Sequence, residues 1–296
     1  MFAAACFLAT LTGLVVLSVL LGAVLTGALG RSDGRPWHDL AGNARDMIAL
    51  LGRLIREAPG ETAAVSGFRV GLVSSLWLLA LVAAFAVPVG VGAAVFLEEY
   101  ARPGRIKAIV QTNIANLAGV PSIVYGILGL TLFVRAFGFK PLALGYTIWS
   151  GALTLGLLVL PTIIIAAQEA LRAVPPSLRQ ASLALGANRW QTVRDHVLPA
   201  AAPGILTGVI LALSRAIGET APVLMVTQAT SLLDPPRGPG DPYAPLPLEI
   251  YNYARFPTAD FQALAAGGIL LLLILLLSLN AVAIFLRNRY GGVPRA

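Results

Sequence analysis

Two ionised side chains, Arg215 and Glu219, stand in an otherwise apolar block running from Pro203 to Gln228. An isolated arginine at the centre of a bilayer costs about 2.5 to 3.5 kcal/mol on insertion scales, so something must compensate it. At i and i+4 on a helix the two share a face and can pair, although Arg before Glu is the weaker order. Two uses fit the pair. It can act as buried glue between helices, or the guanidinium can present its planar fork of donors to an oxyanion. In the second case the carboxylate orients the fork and accepts the proton of a protonated anion. Hydrogen phosphate carries such a proton at neutral pH and sulfate does not. A buried acceptor would therefore be left unpaired against sulfate and would repel it.

A second candidate lies between Gln168 and Pro199. Pro175 and Pro176 end the preceding helix. Ser177 or Pro176 can start a short helix with Leu178, Ala181 and Leu185 on one face, and Gly186 can end it at a left-handed cap. Asn188 suits the N-cap of a second short helix, in which Trp190, Val193 and Val197 form an apolar stripe and which Pro199 limits. Two short helices at a membrane face make either a docking surface or a cover for the bundle's own end.

The elements that must position these residues follow from hydropathy. The chain has 296 residues, 57% hydrophobic and 12% charged, with a mean hydropathy of +0.80. An average soluble domain is about 25% charged, and disorder needs low hydrophobicity. Charge-free blocks run from Phe2 to Leu29, Val70 to Leu97, Ala108 to Val134, Pro141 to Ala167 and Phe261 to Leu286. Each exceeds the roughly 20 residues that cross about 30 Å of hydrocarbon. With the Pro203 to Gln228 block they predict six transmembrane helices. The first lacks a positive n-region and a small-x-small cleavage site, so it reads as a retained helix rather than a leader. Pro88, Gly119 with Pro121, and Pro161 sit inside spans and predict kinks in a packed bundle.

Between the first two spans, Leu40, Ala44, Met47, Ile48, Leu51 and Ile55 share a helical face in a polar segment. That helix lies either in the membrane interface or on the protein's own surface. The expected organisation is a first helix over 1–29, a polar segment over 30–69, a core of five transmembrane helices over 70–286 with its two-helix loop at 168–199, and a tail over 287–296. Positive charge does not orient the bundle, because the two sets of loops carry ten Lys and Arg each.

Other chemistries are excluded or unsupported. The net charge of +7 comes without a compact basic stripe, so no nucleic acid is expected. Cys6 is the single cysteine, and His38 and His196 have no partner at ligand spacing, so no metal is expected. There is no Gly-x-x-x-x-Gly-Lys-Ser/Thr phosphate cradle and no HExxH pair. The chain is not expected to be an enzyme.

The run Gln180-Ala181-Ser182, then Gly186, then Leu198-Pro199, resembles the EAA loop of ABC-importer permeases, with Gln180, Ser182 and His196 departing from the common pattern. Ser214 to Pro222 (SRAIGETAP), Pro88 to Ala101, Asn113 to Leu130, Thr207 to Leu213 and Leu246 to Tyr251 resemble the phosphate-importer permeases of PstA type. The resemblance spans roughly Val70 to Arg289. It implies an all-α type I permease fold in a bacterial inner membrane, with the loop and both termini cytoplasmic. It also implies that Arg215, Glu219 and Thr220 serve anion translocation. Gln180, Ala181, Ser182, Gly186, Trp190, Leu198 and Pro199 would then couple to an ATPase. The implied partners are a PstC-type permease, two PstB-type ATPases carrying ATP and Mg, and a periplasmic PstS-type phosphate-binding protein, with no cofactor on this chain. Asn113, Asn116, Ser122 and Tyr125 either line the path or hydrogen-bond between helices. The alternatives are a permease for another oxyanion such as sulfate or molybdate, and a proton-coupled secondary transporter using Glu219.

Overall fold

A computed structural model describes residues 2–29, 40–60, 62, 66–227 and 232–290. His38, the end of the tail, and the side chains of Cys6, Leu40, Ala44 and Met47 lie outside the described residues. The regular secondary structure of the described residues is all helical, with no strand. In chain order the helices are α1 (Phe2–Leu29), α2 (Leu40–Arg56), α3 (Arg69–Val95), α4 (Arg105–Ala118), α5 (Ser122–Gly129) and α6 (Ile148–Arg172). They continue with α7 (Pro176–Ala184), α8 (Arg189–Thr192), α9 (Leu198–Gly218), α10 (Ala221–Val226), α11 (Leu246–Ala254) and α12 (Ala259–Tyr290). Five helical stretches are long and apolar enough to cross a membrane, or up to six if one bent pair counts as a span.

That pair is α4 with α5, and the kink expected at Gly119 with Pro121 is sharp enough to break the span. The chain turns by 101° between them at Gly119 to Pro121. Proline lacks an N–H and biases its predecessor away from the helix, so a Gly-Val-Pro sequence breaks the helix outright. At Pro88 and Pro161, by contrast, α3 and α6 run through.

The chain forms two compact units. One comprises residues 1–73, 230–235 and 244–275. Its core gathers Leu54, Phe68, Leu246, Ile250, Tyr253, Leu264, Ala265 and Leu271. The Phe68 N–H donates to the Leu54 carbonyl at 2.7 Å and closes the turn from α2 into α3. Leu54 faces this core, while Ile48 and Ile55 of the expected stripe are exposed. The helix α2 thus does pack on its own protein, through a face centred one residue away from the one read in the sequence.

The other unit comprises residues 74–229, 236–243 and 276–296, with α6 at its centre. Fifteen residues of α6 are buried, including Leu155, Val159 and Ile163. Its neighbour α9 approaches closely because Gly204 and Gly208 lie against Ala170 and Ala166, where a Cβ would collide. Small residues four apart allow such contact and raise dispersion attraction in lipid, where no hydrophobic force joins helices. The first N–H groups of α6 are satisfied by the loop before α11: Ile148 donates to Asp241 and Trp149 to Pro239.

Candidate functional site

Arg215 lies in the last turn of α9, and the helix ends three residues later at Gly218. Glu219 is extended (φ −75°, ψ 113°), and Thr220 leads into the short α10. The pair therefore stands at a break between two helices and not in the middle of one continuous span, which corrects the sequence reading. Gly218, followed by Pro222 in the first turn of α10, supplies the local cause. A cation in the last turn of α9 also meets the negative end of its dipole.

The two groups pair across this break. Arg215 Nε donates to Glu219 Oε1 at 3.1 Å, with side-chain exposures of 53% and 17%. Among the described residues, Nη1 and Nη2 of Arg215 have no hydrogen-bond partner. A guanidinium has five N–H donors in a fixed fork, so four remain for an incoming group. The carboxylate holds the fork by one edge and leaves the other open. A guanidinium engaged at one edge only can still take up an oxyanion through the other.

Packing fixes this break in place. Gly126 of α5 lies against the Pro222 backbone, where a side chain would not fit. One turn before the break, Ser214 Oγ contacts Asn280 Oδ1 on α12 at 2.5 Å and the Ile210 carbonyl at 2.7 Å. Asn280 escaped the sequence reading. Its signal was an amide deep inside an otherwise apolar block.

The third-span polar residues separate. Asn113 is exposed and bonds its own preceding turn at the Ile109 carbonyl, 2.8 Å away. Asn116 is exposed and Ser122 half-buried at the start of α5. Tyr125 is buried, and its hydroxyl donates to the Leu117 carbonyl at 2.9 Å across the bend. Its place is that of a brace holding the 101° turn. None of the four bonds Arg215 or Glu219 among the described residues.

At the other candidate surface, α7 runs over Pro176–Ala184 and Gly186 follows at φ +88°, the left-handed cap the sequence predicts. Asn188 caps α8 reciprocally with Gln191, both bonds at 2.9 Å. The second helix is not limited by Pro199. It runs on from α8 through a π-turn at Val193–Val197 into α9, and Pro199 lies within that continuous run. The expected stripe divides: Val193 and Val197 are buried, while Trp190 is 57% exposed. Leu178, Leu183 and Leu185 are also exposed, Leu185 at 90%. Gln180, Ala181 and Pro199 are exposed and Leu198 half-buried. Ser182 is buried and shares a 3.0 Å hydrogen bond with Thr192, which ties α7 to α8. An exposed apolar strip on a polar-tied helix pair has the form of a docking surface.

Burial also perturbs the first unit. Glu249 is 4% exposed, and neither carboxyl oxygen has a hydrogen-bond partner among the described residues. Desolvation raises its pKa well above the ordinary 4.5, against a smaller opposing pull from the Gly71 N–H. The neighbouring Tyr253 hydroxyl is pushed up to about 12 by burial and then by the Glu249 charge. Among the described residues no group of three or more His, Cys, Asp or Glu is arranged to hold a metal ion.

Residues 86–292 match the family model described as "Binding-protein-dependent transport system inner membrane component". The chain is 37% identical over 237 residues to "Probable ABC transporter permease protein YqgI" of Bacillus subtilis, covering 75% of this chain and 78% of that one. It is 34% identical over 223 residues to "Phosphate transport system permease protein PstA" of Haemophilus influenzae, covering 75% of each. It is 38% identical over 205 residues to "Phosphate transport system permease protein PstA 1" of Mycobacterium tuberculosis, covering 69% of this chain and 64% of that one. In fold it is similar to the inward-facing MetNI methionine ABC transporter, with a TM-score of 0.56 at 19% identity over 83% of this chain and 98% of that one. A bacterial alginate ABC transporter gives 0.56 at 14% identity over 94% and 95%.

Proposed function

The chain belongs to the family of binding-protein-dependent transport system inner membrane components, the permease subunits of ABC importers, and on that premise we propose that the anion it conducts is inorganic phosphate. The observation that carries this reading is the half-engaged guanidinium of Arg215, held at one edge by Glu219 at 3.1 Å at a break between two helices. Relatives named for phosphate transport, 34% to 38% identical, support it. Arg215 offers its free donors to phosphate oxygens, and Glu219 accepts the proton that hydrogen phosphate retains. Sulfate and molybdate bring no such proton and leave the carboxylate repelled.

The rest of the importer lies in other chains. A homologous permease of PstC type completes the path, and two PstB-type ATPases bind ATP and Mg. A periplasmic PstS-type protein delivers phosphate. This chain hydrolyses nothing and holds no cofactor of its own. On this reading the exposed strip at Leu178, Leu183, Leu185 and Trp190 faces the ATPase, and α7, α8 and both termini lie on the cytoplasmic side of a bacterial inner membrane. Closure of the ATPases displaces these helices and opens the Arg215 region outward. Phosphate must then meet Arg215 more favourably in that state, because a shift between states needs differential affinity.

The test is uptake of labelled phosphate by the reconstituted complex carrying Arg215→Gln. Loss of a charged, forked contact worth about 2 kcal/mol lowers uptake about 30-fold. Full activity in that variant removes the mechanism. In Glu219→Gln, sulfate should gain on phosphate as a competitor; unchanged handling of both anions rejects the selectivity role. Uptake that survives ATP depletion and collapses with a protonophore would instead indicate proton coupling through Glu219.

A further inference from the structure

Two consecutive carboxylates, Glu98 and Glu99, sit at the end of the α3 span, where the chain widens into a single π-turn over Phe96–Tyr100. The Ala101 N–H closes that turn on the Phe96 carbonyl at 2.8 Å. Such turns insert one residue into a helix and often mark functional positions. Here the turn lets adjacent side chains reach different elements. Glu98 Oε1 accepts from Gln168 Nε2 at 2.9 Å and from Arg172 Nη2 at 2.7 Å, both on α6. Glu99, almost wholly buried, accepts from Arg179 on α7: Nη2 donates to Oε1 at 2.7 Å and Nε at 3.1 Å.

Arg179 does more than pair. Its Nη1 donates to the Val174 carbonyl at 2.8 Å and its Nη2 to the Leu171 carbonyl at 2.9 Å. Leu171 lies in the last turn of α6, where carbonyls lack helical partners and a cation meets the negative dipole end. One guanidinium thus joins α7 to the ends of both α3 and α6. The Ser182–Thr192 bond passes the connection on to α8.

We propose that Arg179 is the positioning residue that makes α7 move as one body with the ends of α3 and α6, so that a displacement of α7 is delivered to these two spans. Without it the displacement is taken up in the Ala173 to Pro175 link. This rests on the reading that α7 and α8 dock on the ATPase. The physical basis is that a buried carboxylate with several charged donors has one low-energy geometry, whereas a glutamine at 179 leaves Glu99 an uncompensated buried charge.

The test uses the whole importer with Cys6→Ser and Leu211→Cys in this chain. Leu211 is exposed on α9, one turn before Arg215. Labelling of that cysteine by a membrane-impermeant maleimide is compared with and without ATP plus vanadate. The readout involves no transported anion, so it stands whichever anion the importer carries. Arg179→Gln is expected to keep the ATPase on co-purification and to lose the ATP-driven change in labelling by about tenfold, within the range of inter-site coupling. Arg179→Lys, which keeps the charge without the fork, should retain an intermediate response. A change in labelling within about twofold of the parent, with the ATPase still bound, overturns the proposal. So does loss of the ATPase from Arg179→Gln, because Arg179 would then maintain the docking surface and not pass on its motion. Leu185→Asp examines docking alone: if it leaves the ATPase bound, the docking reading fails separately.

Discussion

The buried carboxyl of Glu249 makes the stability of this protein depend on pH in a direction opposite to that of most acidic side chains. It is 4% exposed with both oxygens unpartnered among the described residues, and burial raises its pKa well above 4.5. In the folded state it therefore holds its proton at pH values where the unfolded chain has released it. Where the native state binds more protons, stability falls as pH rises. The contribution is complete below about 4.5 and is lost progressively up to the raised folded value. Each pH unit inside that window costs about 1.4 kcal/mol, and each kcal/mol corresponds to about 2 to 4 °C in Tm for a chain of this size. Glu249→Gln, which is neutral throughout, should gain on the parent in Tm as pH rises through that window. The assay is thermal unfolding of both purified proteins in one detergent at pH 5, 6 and 7. A difference between them that stays constant over this range would refute the reasoning.

Two further outcomes follow from packing. Gly208→Val should destabilise the α6–α9 pair by about 1 to 3 kcal/mol, because its Cβ enters the space of Ala166; detergent unfolding reads this directly, and an unchanged Tm contradicts the close approach. Leu185→Asp should reduce ATPase co-purification while leaving Tm within about 1 °C of the parent, since an exposed side chain contributes little to folding. An equal loss of both would show that Leu185 packs within the fold.

The amino-acid pattern alone determined the spans, because lipid requires a long charge-free stretch wherever a helix crosses it. It also determined the caps of the two short helices α7 and α8. Gly186 and Asn188 act on backbone groups within a few residues, and both stand where the pattern placed them. Arg215 and Glu219 stand out as a candidate pair for the same reason: an ionised group in an apolar block is conspicuous without any fold. Only tertiary structure decided the rest. The 101° turn after Ala118 is a direction, held by the Tyr125 hydroxyl on Leu117. The π-turns at Phe96–Tyr100 and Val193–Val197 change helical phase without a proline to announce them. Glu99 and Arg179 stand 80 residues apart, and Ser214 and Asn280 stand 66 apart. Such partners are chosen by which helices lie side by side, and a helix's own periodicity carries no record of its neighbour.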